Sequence, residues 1–214
     1  IGAWLADLLR TRYGAAATPF KFGVESGEYH EDATNRRNDT VVYYARNFTE
    51  RRAVELGLLA LAEVVRRRPG TNVVLFGTHH RLSTEFAHEH VGVLGSDALR
   101  RLYSEATVGL STSLTNYSLI PSEMMACGLP VVELAGRSCE SIFGADGETI
   151  VLAEDDPSSI ADAVIALLDD PDRRAGLSAA GLKFVDEHPW SDAFDGLEEF
   201  LYGLLKARAA ESLG

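Results

Sequence analysis

Short, largely apolar segments recur along most of this chain and alternate with longer segments of helical periodicity. They occupy residues 39–45, 72–77, 91–95, 107–111, 131–134 and 149–153. A strand that is apolar at successive positions is buried on both faces, which is typical of parallel sheets covered by helices. The alternation therefore predicts an α/β fold, with a Rossmann-like parallel sheet and helices on both faces.

The segments between these strands predict the helices. Apolar residues at helical spacing indicate helices at 53–67, 96–106, 121–127, 158–169, 171–187 and 191–209. Ser96 is a plausible cap for the helix that begins there. Another helix is expected at 2–13, followed by a turn-rich segment at 15–38 with one short strand.

Three regions follow from this pattern. Residues 1–38 precede the sheet, and we expect them to be the end of an N-terminal domain and a linker. Residues 39–190 form the Rossmann-like domain, and residues 191–214 contain the C-terminal helix. Because the chain starts at Ile1 rather than at a methionine, we expect it to belong to a longer protein with a further N-terminal domain.

Charge and cysteine content limit the partners. The 214 residues carry a formal net charge of −12, and such a surface repels nucleic acid and anionic lipid. Cys127 and Cys139 show neither metal-ligand spacing nor a disulfide framework, which indicates a reducing, cytoplasmic compartment. No segment approaches the roughly 20 apolar residues of a membrane span. We therefore expect no nucleic-acid partner and no transmembrane segment.

A basic cluster follows the first strand. Ligands of open α/β sheets bind beyond the carboxyl ends of the strands, so the loops there are where binding groups are expected. Arg46, Arg51 and Arg52 lie in such a loop. Guanidinium groups bind phosphate oxygens in bidentate fashion. The alternative is a solvated turn in which these arginines pair with Glu50 or Glu55.

The segment 111–132 reads as a strand, a polar loop and a helix that begins near Pro121. Backbone amides at a helix start, together with the helix dipole, bind anions. Glu123 lies one turn into this helix, where a carboxylate could accept hydrogen bonds from sugar hydroxyls. The alternative is an ordinary first-turn glutamate favoured by the dipole.

Other chemistries are poorly supported. A histidine-rich loop also contains Glu85 and Glu89, but it fits no standard zinc spacing; its histidines are His79, His80, His88 and His90. No Gly-x-Gly-x-x-Gly motif follows a strand, and no Gly-Lys-Ser/Thr motif is present. Cys127 has no base nearby in the sequence and is expected to be a buried helix residue. We expect neither a metal nor a cofactor.

Two motifs resemble those of a known family. Residues 45–52 (ARNFTERR) are similar to G-R-x-x-x-x-K-G, and residues 115–132 (TNYSLIPSEMMACGLPVV) are similar to E-G-F-G-L-x-x-x-E-A-M-A-C-G-x-P-V-V. Both patterns are typical of the C-terminal domain of family-four glycosyltransferases of the GT-B fold. The resemblance covers residues 39 to about 170. It implies the C-terminal half of a GT-B enzyme that transfers a sugar from a nucleotide diphosphate donor.

The resemblance also implies roles for single residues. Arg46 and Arg51 would hold the donor diphosphate, and Glu123 would bind the nucleotide ribose. Gly77 would end the second strand at the donor cleft, with Val93 and Leu94 beside the base. The loop would offer amides to phosphate and sugar from Asn116, Tyr117, Ser118 and Leu119. The family's first glutamate is Thr115 here, and its lysine is Arg51, which puts the donor sugar in question.

A narrower resemblance concerns the donor. Residues 51–57 (RRAVELG), Phe22-Gly23-Val24 and the WLA start at residue 4 are similar to rhamnosyltransferases of the WsaF type, which use dTDP-rhamnose. The threonine methyl of Thr115 and the ring of Tyr117 could pack against the methyl group of a 6-deoxy sugar. UDP- and GDP-linked donors remain alternatives.

The reaction implied is transfer with retention, without an essential metal, to a saccharide or lipid-linked saccharide. The acceptor site would lie on the further N-terminal domain, so this chain alone would be inactive. A non-catalytic, degenerate module for binding or assembly is the alternative, and Thr115 favours it. A sugar epimerase of the same architecture is a third option, which the Met-Ala-Cys-Gly-x-Pro motif does not favour.

Overall fold

The computed structural model describes residues 2–20, 22–32, 36–46 and 49–211. Its strands are β1 (Thr40–Tyr44), β2 (Asn72–Phe76), β3 (Glu89–Gly92), β4 (Val108–Leu110), β5 (Val131–Leu134) and β6 (Val151–Ala153). Its helices are α1 (Ala3–Tyr13), α2 (Val54–Arg67), α3 (Ser96–Glu105), α4 (Ile120–Ala126), α5 (Arg137–Phe143), α6 (Pro157–Asp169), α7 (Pro171–Asp186) and α8 (Trp190–Glu211). A 3-10 turn, Glu50–Arg52, lies between β1 and α2.

The strands form one sheet in the order β3-β2-β1-β4-β5-β6, and all neighbours are parallel. The chain moves outward from β1 to β3 on one side and from β4 to β6 on the other. The strand order therefore reverses between β1 and β4, and a crevice at such a switch point is where open α/β sheets bind ligands. The predicted Rossmann-like parallel sheet is confirmed.

Helices cover both faces because the residues of β1 alternate between two cores. Val41 and Tyr43 pack with residues of α2 and α6 on one face. Val42 packs on the other face with residues of α3, α4 and α7. Successive side chains of a strand point to opposite faces, so a fully apolar strand needs both layers.

Two elements differ from expectation. β3 pairs with β2 from Glu89 onward and ends at Gly92, whose φ of +75° turns the chain, so the strand does not run from 91 to 95. α5 is a helix that the sequence pattern does not predict. Its seven residues lie between Gly136 and Gly144 and are too few to show a helical period.

Two smaller expectations are also wrong. The N-cap of α3 is Gly95 rather than Ser96, and no side chain caps this helix. In the described part of 15–38 there is no strand, since Val24 makes only an isolated bridge to Pro189.

The two ends of the chain meet beside the sheet. α1 packs against α5, and a Cβ atom at Gly23 would lie 2.4 Å from the backbone nitrogen of Trp190. An apolar groove of about 850 Å³ separates α1 and the linker from α8. α8 exposes large apolar side chains at Phe194, Leu197, Phe200, Leu201, Tyr202, Leu204 and Leu205. Within the described ranges, no helix combines the length and apolar character that crossing a membrane requires.

Candidate functional site

The predicted arginines lie at the switch point, next to the loop that follows β4. Arg46 comes directly after β1, and its Nη1 donates to the hydroxyl of Tyr44 at 3.4 Å. The Nη1 atom of Arg51 donates to Oδ1 of Asn116 at 2.9 Å. The amide of Leu114 donates to the carbonyl oxygen of Arg51 at 3.0 Å. The side chain of Arg51 thus joins the two loops at the switch point instead of pairing within its own turn.

Arg52 is the buried member of this cluster. It is 7% exposed, and its Nη1 donates to Oγ of Ser113 at 2.6 Å. The hydroxyl of Thr112 donates to its carbonyl oxygen. Burial lowers the pKa of Arg52, and the charge of Arg51 and the weaker influence of Arg46 lower it further. Cations that repel one another in this way are stabilised by an anion with several oxygens.

A fully buried carboxylate lies behind the cluster. Glu133 on β5 is 0% exposed, and its Oε1 accepts from the amide of Leu134 at 2.8 Å. Its Oε2 has no hydrogen-bond partner in the described part of the chain. Burial raises the pKa of Glu133, whereas the Leu134 amide, the hydroxyls of Ser111 and Ser113 and the charge of Arg52 lower it. The charge of Arg52 thus favours the ionised form of Glu133, while complete burial opposes it and has the larger effect.

Glu123 lies at the same edge of the sheet, in the first turn of α4. Burial, with a further contribution from the Glu28 carboxylate, raises its pKa to about 7. Its Oε2 is buried and makes no hydrogen bond within the described residues. A helix dipole lowers the pKa of an ordinary first-turn glutamate. The environment of Glu123 raises its pKa instead, so burial, and not the dipole of the seven-residue helix, determines the pKa of this carboxylate.

The loop between β4 and α4 places its residues in different surroundings. Thr115 and Asn116 are exposed, and the Thr115 hydroxyl donates to Oδ1 of Asn116 at 3.1 Å. Ser118 is buried, and its Oγ has no partner among the residues that the structure describes. Leu119 is half-buried and is the N-cap residue of α4. The exposed tip of this loop faces the arginines through Asn116.

The placement of Tyr117 corrects an expectation. Its side chain is 7% exposed, its ring packs edge-on against Phe143, and its Oη accepts from the amide of Phe22 at 3.5 Å. Its own amide donates to Oγ of Ser138 at 2.8 Å. In this conformation the ring cannot pack against a sugar methyl group, and the amide is not open to a phosphate. Ser138 holds the amide and Phe143 contacts the ring, and both lie on the unpredicted helix α5.

The residues expected near the base lie at the carboxyl ends of β2 and β3. Gly77 has a φ of +96°, and a Cβ atom there would lie 2.6 Å from the ring of Tyr44. Its amide donates to the carbonyl oxygen of Gly92 at 2.8 Å. Val93 is exposed and Leu94 is half-buried. All of them share the sheet edge that carries the arginines.

Two tyrosines close to Glu123 are not among the predicted site residues. The ring of Tyr103 on α3 packs against those of Phe76, at 5.6 Å between centroids, and Tyr29, at 6.3 Å. Burial raises the pKa of both tyrosines, and the charge of Glu123 adds to this effect. In sequence, Tyr103 resembles any core position of an amphipathic helix, so no signal distinguished it.

The histidine-rich loop does not assemble a metal site in the described ranges. No group of three or more His, Cys, Asp and Glu residues there could hold a metal ion. The Nδ1 atom of His88 is bonded to the hydroxyl of Thr84 at 2.9 Å, and the Nε2 atom of His90 to the carbonyl oxygen of Thr78 at 3.0 Å.

Comparison with known families identifies the chain. Residues 38–170 match the profile of the family described as "Glycosyl transferases group 1". The chain belongs to this family. The sheet, the switch point and the two motifs are thus those of a group 1 glycosyl transferase, with the GT-B type of fold.

Curated relatives of this group 1 chain are much longer than it is. It is 28% identical over 203 residues to the O-antigen biosynthesis protein RfbC of Myxococcus xanthus, covering 92% of this chain and 16% of that protein. It is 32% identical over 96 residues to D-inositol 3-phosphate glycosyltransferase 1 of Catenulispora acidiphila, covering 44% of this chain and 23% of the relative.

Solved structures share the fold. Sucrose-phosphate synthase of Thermosynechococcus elongatus superposes with a TM-score of 0.80 at 20% identity, over 97% of this chain and 58% of the synthase. Anabaena HepE in complex with UDP and glucose superposes with a TM-score of 0.72 at 14% identity, over 87% of this chain and 57% of HepE. The chain therefore spans a little over half of each of these two structures.

Proposed function

We propose that this group 1 chain binds the nucleoside diphosphate of an activated sugar, and that the protein transfers the sugar to a saccharide or lipid-linked saccharide. The cluster of Arg46, Arg51 and Arg52 at the switch point carries the proposal. The chain has a formal net charge of −12, so three arginines close together at one site indicate that they have a function there. As the sugar leaves, negative charge develops on the diphosphate, and fixed guanidinium groups stabilise that charge without a metal ion.

Glu123 complements the arginines. Arg46 and Arg51 hold the diphosphate in this proposal, and the carboxylate of Glu123 accepts hydrogen bonds from the ribose hydroxyls. Gly77, Val93 and Leu94 line the base side, and Thr115 and Asn116 lie on the sugar side. The complex of HepE with UDP and glucose supports a nucleotide-sugar donor for a chain of this fold.

Calorimetric titration of the chain with UDP, dTDP and GDP tests the proposal. We expect at least one nucleoside diphosphate to bind more tightly than inorganic pyrophosphate, because only the nucleotide reaches Glu123 and the base side. If none of the three binds, the donor-site interpretation fails.

For the donor sugar we propose a 6-deoxy sugar, with dTDP-rhamnose as the preferred donor. Thr115 supports this, because it lies exposed where the family motif carries a carboxylate, and it presents a methyl group in place of a charge. A methyl-sized apolar contact discriminates by about 1–3 kcal/mol. Competition between dTDP-rhamnose and UDP-glucose measures the preference, and equal or tighter binding of UDP-glucose removes the rhamnosyl assignment.

The second candidate is a module that binds a donor without transferring its sugar. Thr115 favours it too, since the missing carboxylate belongs to the family's site motif. The retained arginine cluster and Glu123 favour the enzyme, which we propose acts with retention in the cytoplasm. Release of nucleotide from a sugar donor by the full-length protein, in the presence of acceptor saccharides, separates the two candidates.

A further inference from the structure

Two buried polar atoms between α3 and α4 have no hydrogen-bond partner. They are the Oη atom of Tyr103 and the Oε2 atom of Glu123, each unpaired within the described residues. Tyr103 is 0% exposed, so solvent does not reach its hydroxyl in this conformation. Buried polar groups of folded proteins nearly always have a partner, and an exception calls for a physical reason.

The surroundings hold Tyr103 in place. Its ring lies between Phe76 and Tyr29, at centroid distances of 5.6 Å and 6.3 Å. These ring contacts and its complete burial restrict the Tyr103 side chain, and its hydroxyl remains a donor without a partner in the described residues. α3, which carries this donor, packs against α4, which carries Glu123.

The titratable groups around Glu123 come from three elements. Glu28 and Tyr29 face it from the turn before β1, Tyr103 from α3, and Cys127 from the end of α4. Each is anionic when ionised and none is a cation. A hydrogen bond from a neutral donor such as the buried Tyr103 hydroxyl would therefore favour the charged form of Glu123.

We propose that Tyr103 is a positioning residue for the donor site: its hydroxyl donates to one carboxylate oxygen of Glu123 when a nucleotide binds, and the other oxygen then faces the ligand. This inference rests on the proposed function. One of these atoms is a donor and the other an acceptor, and they lie on two helices that are in contact, so each can satisfy the other. The hydrogen bond also keeps Glu123 ionised, the form that accepts from two ribose hydroxyls.

Tyr103→Phe tests the inference, because it removes the hydroxyl and leaves the ring. Loss of a hydrogen bond to a charged group weakens UDP binding roughly tenfold at about pH 8. The loss shrinks toward none at about pH 5.5, where Glu123 is protonated in wild type and variant alike. In a Glu123→Gln background, Tyr103→Phe has much less effect on UDP affinity.

Tyr43→Phe is the matched stability control. Tyr43 is equally buried, but its hydroxyl is hydrogen-bonded to Oγ1 of Thr112 at 3.0 Å and donates to the carbonyl oxygen of Val54 at 3.3 Å. We expect Tyr43→Phe to lower the melting temperature of the unliganded chain and Tyr103→Phe to leave it unchanged or raise it.

The outcomes separate this inference from the function on which it rests. If the wild-type chain binds no nucleoside diphosphate, the proposed function fails. If it binds UDP and Tyr103→Phe binds UDP equally well at about pH 8, only the positioning role fails. The remaining outcome is that Tyr103→Phe lowers the melting temperature, as Tyr43→Phe does, and weakens UDP binding equally at both pH values. That result would show that Tyr103 is an ordinary core residue, and it would also overturn the inference.

Discussion

At the scale of single residues, the shape of the guanidinium group decides what Arg51 contributes. Its Nη1 already donates to Asn116 at 2.9 Å, so the other nitrogens of the planar group are oriented before a ligand arrives. A lysine carries the same charge but cannot bond to Asn116 and to a phosphate in the same fixed geometry. We therefore predict that Arg51→Lys weakens nucleoside diphosphate binding by roughly 10–100-fold, the value of one charge-assisted hydrogen bond.

Arg66→Lys is the control for this measurement. Arg66 lies on α2 with 73% of its side chain exposed, and its partner Glu63 is 3.8 Å away. Calorimetric titration should show unchanged affinity for this variant. If Arg51→Lys also binds as wild type does, Arg51 has only the role of tying its turn to the β4 loop.

Glu123 makes the folding stability of the protein depend on pH in an unusual direction. Its pKa in the folded state is about 7, above the ordinary value of 4.5, so folding disfavours its charged form. A group of this kind contributes least to stability at high pH, and the fold gains stability as the pH falls through about 7. We predict that Glu123→Gln melts at a higher temperature than wild type at about pH 8, with the difference shrinking at about pH 5.

The same variant should bind nucleoside diphosphates more weakly at about pH 8, because the amide lacks the charge of the carboxylate. Thermal melts and titrations at both pH values measure the two effects. A Glu123→Gln chain that melts far below wild type and binds normally would show that Glu123 is a structural helix residue.

Residue types at strand ends were predictable, and side-chain directions were not. Arg46, Arg51 and Glu123 could be placed at one edge because parallel strands all end there. The inward direction of Tyr117 depends on Ser138 and Phe143, both on a helix with no sequence period of its own. Glu133 did carry a signal, since a carboxylate in the apolar run 131–134 needs a buried counter-charge.

At the scale of elements, close packing between α2 and β1 depends on a glycine. A Cβ atom at Gly57 would lie 2.2 Å from Oη and 2.3 Å from Cζ of the buried Tyr43. Alanine favours helix over glycine, but this clash forces the ring or the helix to move. We predict that Gly57→Ala destabilises the fold by about 1–3 kcal/mol, the usual cost of overpacking.

Gly176→Ala, on α7, should stabilise the fold instead of destabilising it. A Cβ atom at Gly176 meets nothing within 4 Å. The substitution therefore gains only helix propensity, about 0.5–1 kcal/mol of stability. Denaturant unfolding measures the stability change of each variant. Equal changes for Gly57→Ala and Gly176→Ala would mean that α2 and β1 are not packed as closely as the structure places them.

The long elements were predictable because their patterns repeat over several turns or fill a whole strand. Five of the six strands, all but β3, and the helices α2, α3, α6 and α7 lie close to their predicted positions. The errors fall on short elements, α5 and the end of β3, where tertiary contacts decide the outcome. Pairing with β2 begins β3 at Glu89, before its apolar residues.

At the scale of the whole molecule, the described surface is uneven. The carboxyl edge of the sheet carries the polar groups that we propose bind a nucleotide, whereas α8 presents large apolar side chains and borders the groove against α1. The boundaries expected at residues 38 and 190 remain predictions; α1 packs against α5, whereas α8 is largely exposed.

The final prediction is that the isolated chain binds a nucleoside diphosphate but transfers no sugar. Every group that we propose for the site would serve the donor: the arginine cluster would bind the diphosphate, Glu123 the ribose, and Gly77, Val93 and Leu94 the base. Among the described residues we assign none to an acceptor, and the solved structures of this fold extend well beyond the matched region, which is 58% of sucrose-phosphate synthase.

Positioning two reactants against each other accounts for a large part of enzymatic rate enhancement. A site that holds only the donor lacks this part of the rate enhancement. The measurement pairs titration of the chain with UDP and dTDP and a chromatographic assay for nucleotide release from UDP-glucose and dTDP-rhamnose, with saccharide acceptors present. We expect saturable binding with release no faster than in buffer alone. Sustained turnover by the isolated chain would place the acceptor site within these 214 residues.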